Sequence, residues 1–520
     1  MARRRRSLGP ARLAGAAALA LVLMLSLGTL GAVAFRAEAA AGLGPADWAA
    51  VRFTLVQALL SAALSVALAV PVARALARRR FVGRGALITL LGAPFILPVI
   101  VAVLGLIAVF GRNGIVSQML LWAGLEPVSI YGFHGVVLAH VFFNLPLATR
   151  LILQGWLSIP TERFRLAASL GFTSGDIGRI LERPMLAQVL PGAFLVIFLL
   201  CLTSFSVALT LGGGPRATTV ELAIYQAFRF DFDLGKAALL ALVQVAIAGS
   251  AALIALRLTL PSDMGAGQDR AVQRWDATAP ILRLQDAVLI VGATLFLIAP
   301  LAMIALAGLP ALASLPGTVF AATFRSFAVA LGSAALTIGL ALSLTAWIVR
   351  GQARIVDLLG TLTIAASPLV IGTGLFIILF PIVDPARLAL PITALVNAVM
   401  ALPFALRALV PALGAIEANF GQLADSLGMQ GIARLRHLWL VRLRRPLGFT
   451  AGLAAALSMG DLGVIAMFAS PDGGTLPLAL YRLMAAYRMD AAAGAALVLL
   501  AASLLLFWVF DRGGRIDADA

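Results

Sequence analysis

Long apolar runs recur from one end of this chain to the other and constrain its fold more than any other feature. The hydrocarbon core of a bilayer is roughly 30 Å thick, so a helix needs about 20 mostly apolar residues to cross it. Runs of this length lie at about 13–35, 54–76, 86–110, 136–157, 187–211, 236–257, 285–308, 326–349, 356–381, 390–411, 447–469 and 491–510. They predict an all-α integral membrane protein with about 12 transmembrane helices.

Composition excludes the soluble classes of protein. Hydrophobic residues make up 62% of the chain and charged residues only 12%, and the mean hydropathy is +1.03. A net charge of +16 would suggest a nucleic-acid partner for a soluble protein. Here the basic residues cluster at the ends of apolar runs, so we expect the lipid bilayer and no nucleic acid as a partner.

The first apolar run follows four arginines, Arg3 to Arg6, in the manner of a signal peptide. The apolar part of a signal peptide has only about 7 to 15 residues, which is shorter than this run. We therefore predict an uncleaved first span. Basic residues concentrate in the segments that become cytoplasmic if the chain starts inside, which predicts that both termini are cytoplasmic.

Two short polar segments of the chain resemble each other. Arg165–Gly171 reads RLAASLG, and Gln422–Gly428 reads QLADSLG. The same interval separates Pro146 from Pro403, which indicates two related halves in tandem. By the charge rule both segments are cytoplasmic, and each opens a loop that is long enough for two short helices.

The glycine that ends each segment, Gly171 or Gly428, is predicted to break a helix, because glycine tolerates a positive φ. A surface helix that offers small side chains to a partner would be built in this way. A connector without a special role is the alternative, but its recurrence at matched positions favours docking.

Both loops resemble the cytoplasmic loop of ABC importer permeases, whose pattern is E-A-A-x-x-x-G, nine residues, then I-x-L-P. In that family the loop is a coupling helix that docks in a groove of the ATPase subunit. The resemblance implies coupling roles for Arg165, Leu166, Ala167, Gly171, Leu181 and Pro184 in the first loop, and for Gln422, Leu423, Ala424, Gly428, Leu438 and Leu440 in the second. Arg165 and Gln422 replace the family's glutamate, and Val441 replaces its last proline in the second loop, so no salt bridge from that glutamate to the ATPase is expected.

The stretch from Ser204 to Tyr225, and the chain as a whole, resembles the permeases of thiamine and thiamine pyrophosphate ABC importers of Gram-negative bacteria. The resemblance implies a transport subunit of the inner membrane that moves thiamine or its phosphates from periplasm to cytoplasm. It implies two copies of an ABC ATPase subunit and a periplasmic substrate-binding protein as partners. Ferric-iron permeases share the fused layout and are the alternative within this class.

The domain boundaries follow from the repeat and the resemblance. We predict a first helix with a periplasmic segment at 1–52, a first type I ABC permease domain at 53–257, a cytoplasmic linker with the seventh span at 258–324, a second permease domain at 325–511 and a cytoplasmic tail at 512–520.

The sequence lacks the motifs that an enzyme or a complete pump needs. It contains no G-x-x-x-x-G-K-[ST] phosphate loop, so ATP must be bound by a partner subunit and no cofactor is expected in this chain. Three histidines and one cysteine are too few to predict a metal site. No catalytic residues are predicted.

Polar residues within the spans are candidates for a substrate path. Asp461 is the clearest, because a carboxylate at membrane depth costs about 2.5–3.5 kcal/mol on insertion scales and tends to face a cavity. Hydroxyl residues lie on the fifth and eleventh spans, which match each other in the two halves: Thr203, Ser204, Ser206, Thr210 and Ser458. Such a path suits a thiazolium cation, although Asp461 paired with a neighbouring helix is an equal alternative. His140 and Asn397 are expected to make hydrogen bonds between helices.

A proton-coupled secondary transporter is the alternative from another class, since it too has many spans and internal repeats. It would need a relay of ionisable residues within the membrane. The scarcity of such residues and the two matched loops favour the ABC permease.

Overall fold

The computed structural model describes residues 9–37, 42–92, 96–214, 217–258, 278–351, 356, 367–470 and 473–515. Eleven helices in these ranges are long and apolar enough to cross a membrane, and Pro368–Leu379 and Leu476–Ala485 are shorter apolar helices. The described residues contain no strand. The predicted all-α membrane fold is therefore confirmed.

The helices of the first half are α1 (Gly9–Leu23), α2 (Thr29–Ala37), α3 (Pro45–Arg78), α4 (Arg84–Leu90), α5 (Val99–Phe110), α6 (Ile115–Trp122), α7 (Phe133–Leu157), α8 (Thr161–Ser169), α9 (Ser174–Ile177), α10 (Arg183–Leu202), α11 (Ser206–Leu211), α12 (Val220–Arg229) and α13 (Leu234–Leu258).

The second half contains α14 (Pro280–Ala311), α15 (Gly317–Gly351), α16 (Pro368–Leu379), α17 (Ala389–Ser426), α18 (Gly431–Arg434), α19 (Leu440–Arg442), α20 (Arg444–Met459), α21 (Gly463–Phe468), α22 (Leu476–Ala485) and α23 (Met489–Arg515). Most of the predicted linker and part of the predicted span at 356–381 lie outside the described residues.

The second polar loop begins as a continuation of the preceding helix and not as a separate short helix. Helix α17 is 38 residues long and continues from the span to Ser426. In the first half, Pro160 separates α7 from α8 with an extended ψ of 137°. The residue before a proline is disfavoured in a helix, and Glu417 occupies the equivalent position in α17.

Equivalent hydroxyl groups cap equivalent helices in the two halves. The backbone N–H of Val220 donates to Thr54 Oγ1 at 2.9 Å, and that of Leu476 donates to Ser326 Oγ at 2.7 Å. These bonds tie the first turns of α12 and α22 to α3 and α15. Because the first N–H groups of a helix have no partner within it, the same solution in both halves supports a common architecture.

Each half sends its first helix to the other half. Helices α1 and α2 pack on α15 and α16, whereas α14 packs on α3 and α5. The contacts are so close that a Cβ at Gly374 would lie 2.5 Å from the Thr29 backbone, and one at Gly105 would lie 2.5 Å from the Pro300 carbonyl oxygen. Small residues allow such close packing between membrane helices, so the two halves form one interlocked body.

Candidate functional site

The first polar loop turns at the predicted glycine. The N–H of Phe172 donates to the carbonyl of Ala167 at 3.0 Å, and that of Gly171 donates to Ala168 at 3.1 Å. Together with a φ of +70° at Gly171, these bonds form the Schellman motif that ends many helices.

The second loop repeats the same turn. The N–H of Met429 donates to Ala424 at 2.9 Å, and that of Gly428 donates to Asp425 at 3.2 Å. Gly428 has a φ of +66°. A short helix follows each turn, and a π-helical segment follows each short helix, at Gly178–Glu182 and at Leu435–Trp439. π-Helical turns are rare and concentrate at functional sites. Their recurrence at equivalent positions therefore makes both loops candidate functional sites.

Exposed leucines lie just before each turn. Leu166 and Leu170 are each 61% exposed, and their counterparts Leu423 and Leu427 are 58% and 65% exposed. We call these four residues the leucine pairs. At about 1.5 Å per residue, α17 is about 57 Å long, nearly twice the thickness of the hydrocarbon core, and the second glycine turn lies at its C-terminal end. The leucine pairs are therefore apolar surface on polar loops, as expected of a docking site.

The predicted coupling residues differ in what they can touch. Ala167, Ala424 and Leu438 are buried, and Leu181 is half-buried. The remaining coupling residues are exposed: Arg165, Leu166, Gly171, Pro184, Gln422, Leu423, Gly428 and Leu440. The buried alanines allow the loop helices to pack closely on the rest of the chain. Sequence reasoning missed Leu170 and Leu427, although each lies one helical turn after a predicted leucine.

Apolar packing and an ion pair hold the interior of the first loop. Ile177 is fully buried. Arg74 of α3 contacts Glu182 at 2.6 Å, with the arginine 35% exposed and the glutamate 4% exposed. Thr173 and Asp176 form a capping box at the start of α9, which satisfies the first N–H groups of that short helix.

A buried arginine crosslinks the interior of the second loop. Arg434 is 1% exposed, and its guanidinium contacts both carboxylate oxygens of Glu417, at 2.9 and 2.6 Å, as well as Asp425. Trp439 donates its indole N–H to Glu417 at 2.7 Å. Burial alone would lower the pKa of Arg434, but its hydrogen bonds with Glu417 and Asp425 outweigh burial and raise that pKa. Arg434 is therefore a permanent cation that crosslinks the loop.

A cavity of about 300 Å³ lies between the two halves. The predicted path residues Thr203, Ser204, Ser206 and Asp461 line it. The other two are engaged elsewhere: Ser458 accepts a hydrogen bond from Asn397 Nδ2 at 3.1 Å, and the Thr210 hydroxyl donates to the Ser206 carbonyl at 2.7 Å. The structure thus brings part of the predicted path together around one space.

Two polar side chains of this wall have unused hydrogen-bonding atoms. Oδ2 of Asp461 is buried without a hydrogen-bond partner among the described residues, while N–H groups at the start of α21 face the carboxylate. His140 places Nδ1 3.4 Å from Ser61 Oγ, which joins two helices. Its Nε2 atom is buried without a partner in the described part of the chain, and the residue lines the cavity.

Sequence reasoning missed a second carboxylate in the same wall. Glu221 is fully buried and lines the cavity. It lies in the first turn of α12, between two predicted spans, so no apolar run marked it as a group at membrane depth. Only the packing of α12 into the molecule brings it to this wall.

Whole-chain similarity places these sites in a family, although no family model matches the chain. Thiamine transport system permease protein ThiP of Brucella abortus (strain 2308) is 41% identical over 98% of this chain and 96% of its own length. The proteins of that name from Escherichia coli (strain K12) and Haemophilus influenzae are 39% and 32% identical, over 91% and 88% of this chain and 90% and 87% of their own lengths. The chain therefore belongs to the family of thiamine transport system permease proteins.

Proposed function

We propose that this protein is the membrane-spanning subunit of an ATP-driven importer that carries thiamine or its phosphates from periplasm to cytoplasm. Its place is the bacterial inner membrane, with both termini in the cytoplasm. The observation that carries the proposal is the pair of equivalent loops, each with a glycine turn, a π-helical segment and two exposed leucines. Family membership supports the substrate.

Each loop binds one copy of an ABC ATPase subunit in this mechanism. Two equivalent grooves of a symmetric ATPase dimer match two similar loops on one chain. The leucine pairs supply the apolar contact, and the turns at Gly171 and Gly428 set its direction. ATP binding closes the ATPase dimer and draws the loops together, and the interlocked halves carry this motion to the cavity.

The cavity receives the substrate from a periplasmic binding protein. Its hydroxyl groups and Asp461 suit a thiazolium cation with a polar tail. Closure of the cytoplasmic side, coupled to the loops, opens the cavity outward, and ATP hydrolysis returns it to face inward. This cycle requires differential binding of the ATPase to the two conformations.

Uptake of radiolabelled thiamine in a strain that lacks only this chain tests the substrate. We expect high-affinity thiamine uptake to be lost and ferric-iron uptake to be unchanged, with thiamine uptake restored by the intact gene. Loss of iron uptake with normal thiamine uptake would establish the ferric-iron alternative.

Energy coupling needs a separate measurement in proteoliposomes that contain the permease, its ATPase and the binding protein. We expect transport to require ATP on the side of the membrane where the ATPase is bound. Transport should also continue after the proton gradient has been collapsed. Transport driven by a proton gradient without nucleotide would establish the secondary transporter instead.

A further inference from the structure

The cavity between the halves contains two carboxylates from different halves. Glu221 belongs to α12 of the first half, and Asp461 lies just before α21 of the second. Both line the same cavity, and no arginine or lysine does so among the described residues. The wall is therefore acidic and receives one acidic group from each side.

Glu221 has no cationic partner among the described residues. It is 0% exposed, and neither carboxylate oxygen makes a hydrogen bond within the described part of the chain. The Ser367 hydroxyl and the Gln244 amide lie beside the carboxylate. Because an ionised carboxylate buried without a partner is strongly unfavourable, Glu221 carries a negative charge in this wall only when a cation or a hydrogen-bond donor lies beside it.

The rest of the wall favours an organic cation over a metal ion. Phe143 and Phe205 line the cavity together with Leu147 and Leu369. Aromatic faces attract flat, weakly hydrated cations, whereas a hard metal ion takes a shell of oxygen ligands. A volume of about 300 Å³ lies at the lower end of the range for small-molecule sites.

We infer that Glu221 and Asp461 form a two-carboxylate binding site for an organic cation, here the thiazolium ring of thiamine, between the two halves of the permease. The inference rests on the proposed function. Thr203, Ser204 and Ser206 hydrogen-bond the uncharged part of the substrate, and His140 Nε2 adds a further polar contact. One carboxylate from each half makes the site complete only when the halves are correctly apposed.

The test compares thiamine with deazathiamine, its neutral thiophene isostere, in proteoliposomes with the wild-type ATPase and binding protein. The measured quantity is the preference of each permease variant for thiamine, divided by the wild-type preference, so that the selectivity of the binding protein cancels. We expect Glu221→Gln to lower this preference about tenfold or more, because the amide keeps the shape and removes one buried charge pair with the substrate.

Asp461→Asn is the second arm and should lower the preference in the same direction. Asp286→Asn is the matched control, since Asp286 is a buried carboxylate that pairs with Arg79 at 2.6 Å and does not line the cavity. It should leave the preference unchanged even if it slows transport.

An unchanged preference in Glu221→Gln would overturn the inference. If that variant does not assemble, an unchanged preference in Asp461→Asn overturns it equally. A wild-type transporter that carries no thiamine would instead contradict the proposed function, so the two failures are distinguishable.

Discussion

Positions 177 and 434 are equivalent in the two polar loops, yet one is a fully buried isoleucine and the other a buried arginine. The outer shape of the loops is the same, with a glycine turn, a π-helical segment and exposed leucines. The inner chemistry is different. A partner that binds both loops contacts the shared outer shape, while the interior has only to hold that shape.

The helix before each loop explains why the interiors differ. Pro160 ends the helix before the first loop, so α8 is a separate element that packs through Phe164 and Ala167. Glu417 leaves α17 unbroken and places a buried carboxylate opposite Arg434. Once that carboxylate is buried, a cation must accompany it. The difference between Pro160 and Glu417 at equivalent positions thus accounts for the ionic interior of the second loop.

The largest effect is expected from removing Arg434. Arg434→Met leaves Glu417 buried without its cation, which costs about 3–5 kcal/mol. We expect the second loop to become susceptible to limited proteolysis and the complex to lose its ATPase.

Ile177→Val at the equivalent position of the first loop is the matched control and should cost only about 0.5–1.5 kcal/mol. Equal proteolytic sensitivity of the two variants would show that the ionic interior does not hold the second loop.

Gly171→Val and Gly428→Val test the shared outer shape. A Cβ at either position meets open space within the chain, so the cost inside the permease is backbone strain of about 1–2 kcal/mol in each loop. Any larger loss must arise at the ATPase. We expect each single variant to uncouple ATP hydrolysis from uptake while assembly persists.

The first loop also keeps the family's proline, Pro184, so Gly171→Val should be the more damaging of the two. ATP hydrolysis and uptake are measured on the same reconstituted sample. Full coupling in both variants would show that these turns do not transmit the motion.

Glu182→Gln tests the ion pair of the first loop and should have a smaller effect than Arg434→Met. Arg74 is about one-third exposed, so it can reach water when its partner is neutralised, and the loss should be about 1 kcal/mol. The readout is the thermal unfolding of the assembled complex. A loss as large as that of Arg434→Met would mean that the two interiors are energetically alike.

The smallest effect is expected from restoring the family's glutamate. Arg165→Glu and Gln422→Glu change exposed side chains and should alter the stability of the permease by less than about 0.5 kcal/mol. Affinity for the ATPase is measured by pull-down at two salt concentrations. A large, salt-sensitive gain in ATPase affinity for Gln422→Glu alone would show that the two ATPase grooves bind the two loops through different contacts.

Much of the structure of the two polar loops was predictable from local sequence. A repeat of seven residues with glycine at its end predicted both turns, since a positive φ is a property of the residue and its nearest neighbours. Of the leucine pairs, Leu166 and Leu423 were predicted and Leu170 and Leu427 were missed. The helical period, which places Leu170 beside Leu166, is the signal that identifies the missed residues. The continuous α17 was missed, because whether a helix ends at position 417 depends on a single residue and on its partner, Arg434, which is distant in sequence.

The sequence by itself determined the membrane class, the repeat and the two loops, because each depends on residues that are close together in the chain. Only the tertiary structure decided that the halves exchange their first helices and that Glu221 and Asp461 share a cavity. Glu221 carries no local mark of its position, since burial is set by the helices that pack around it. A site made of one group from each half exists only after both halves have folded and come together.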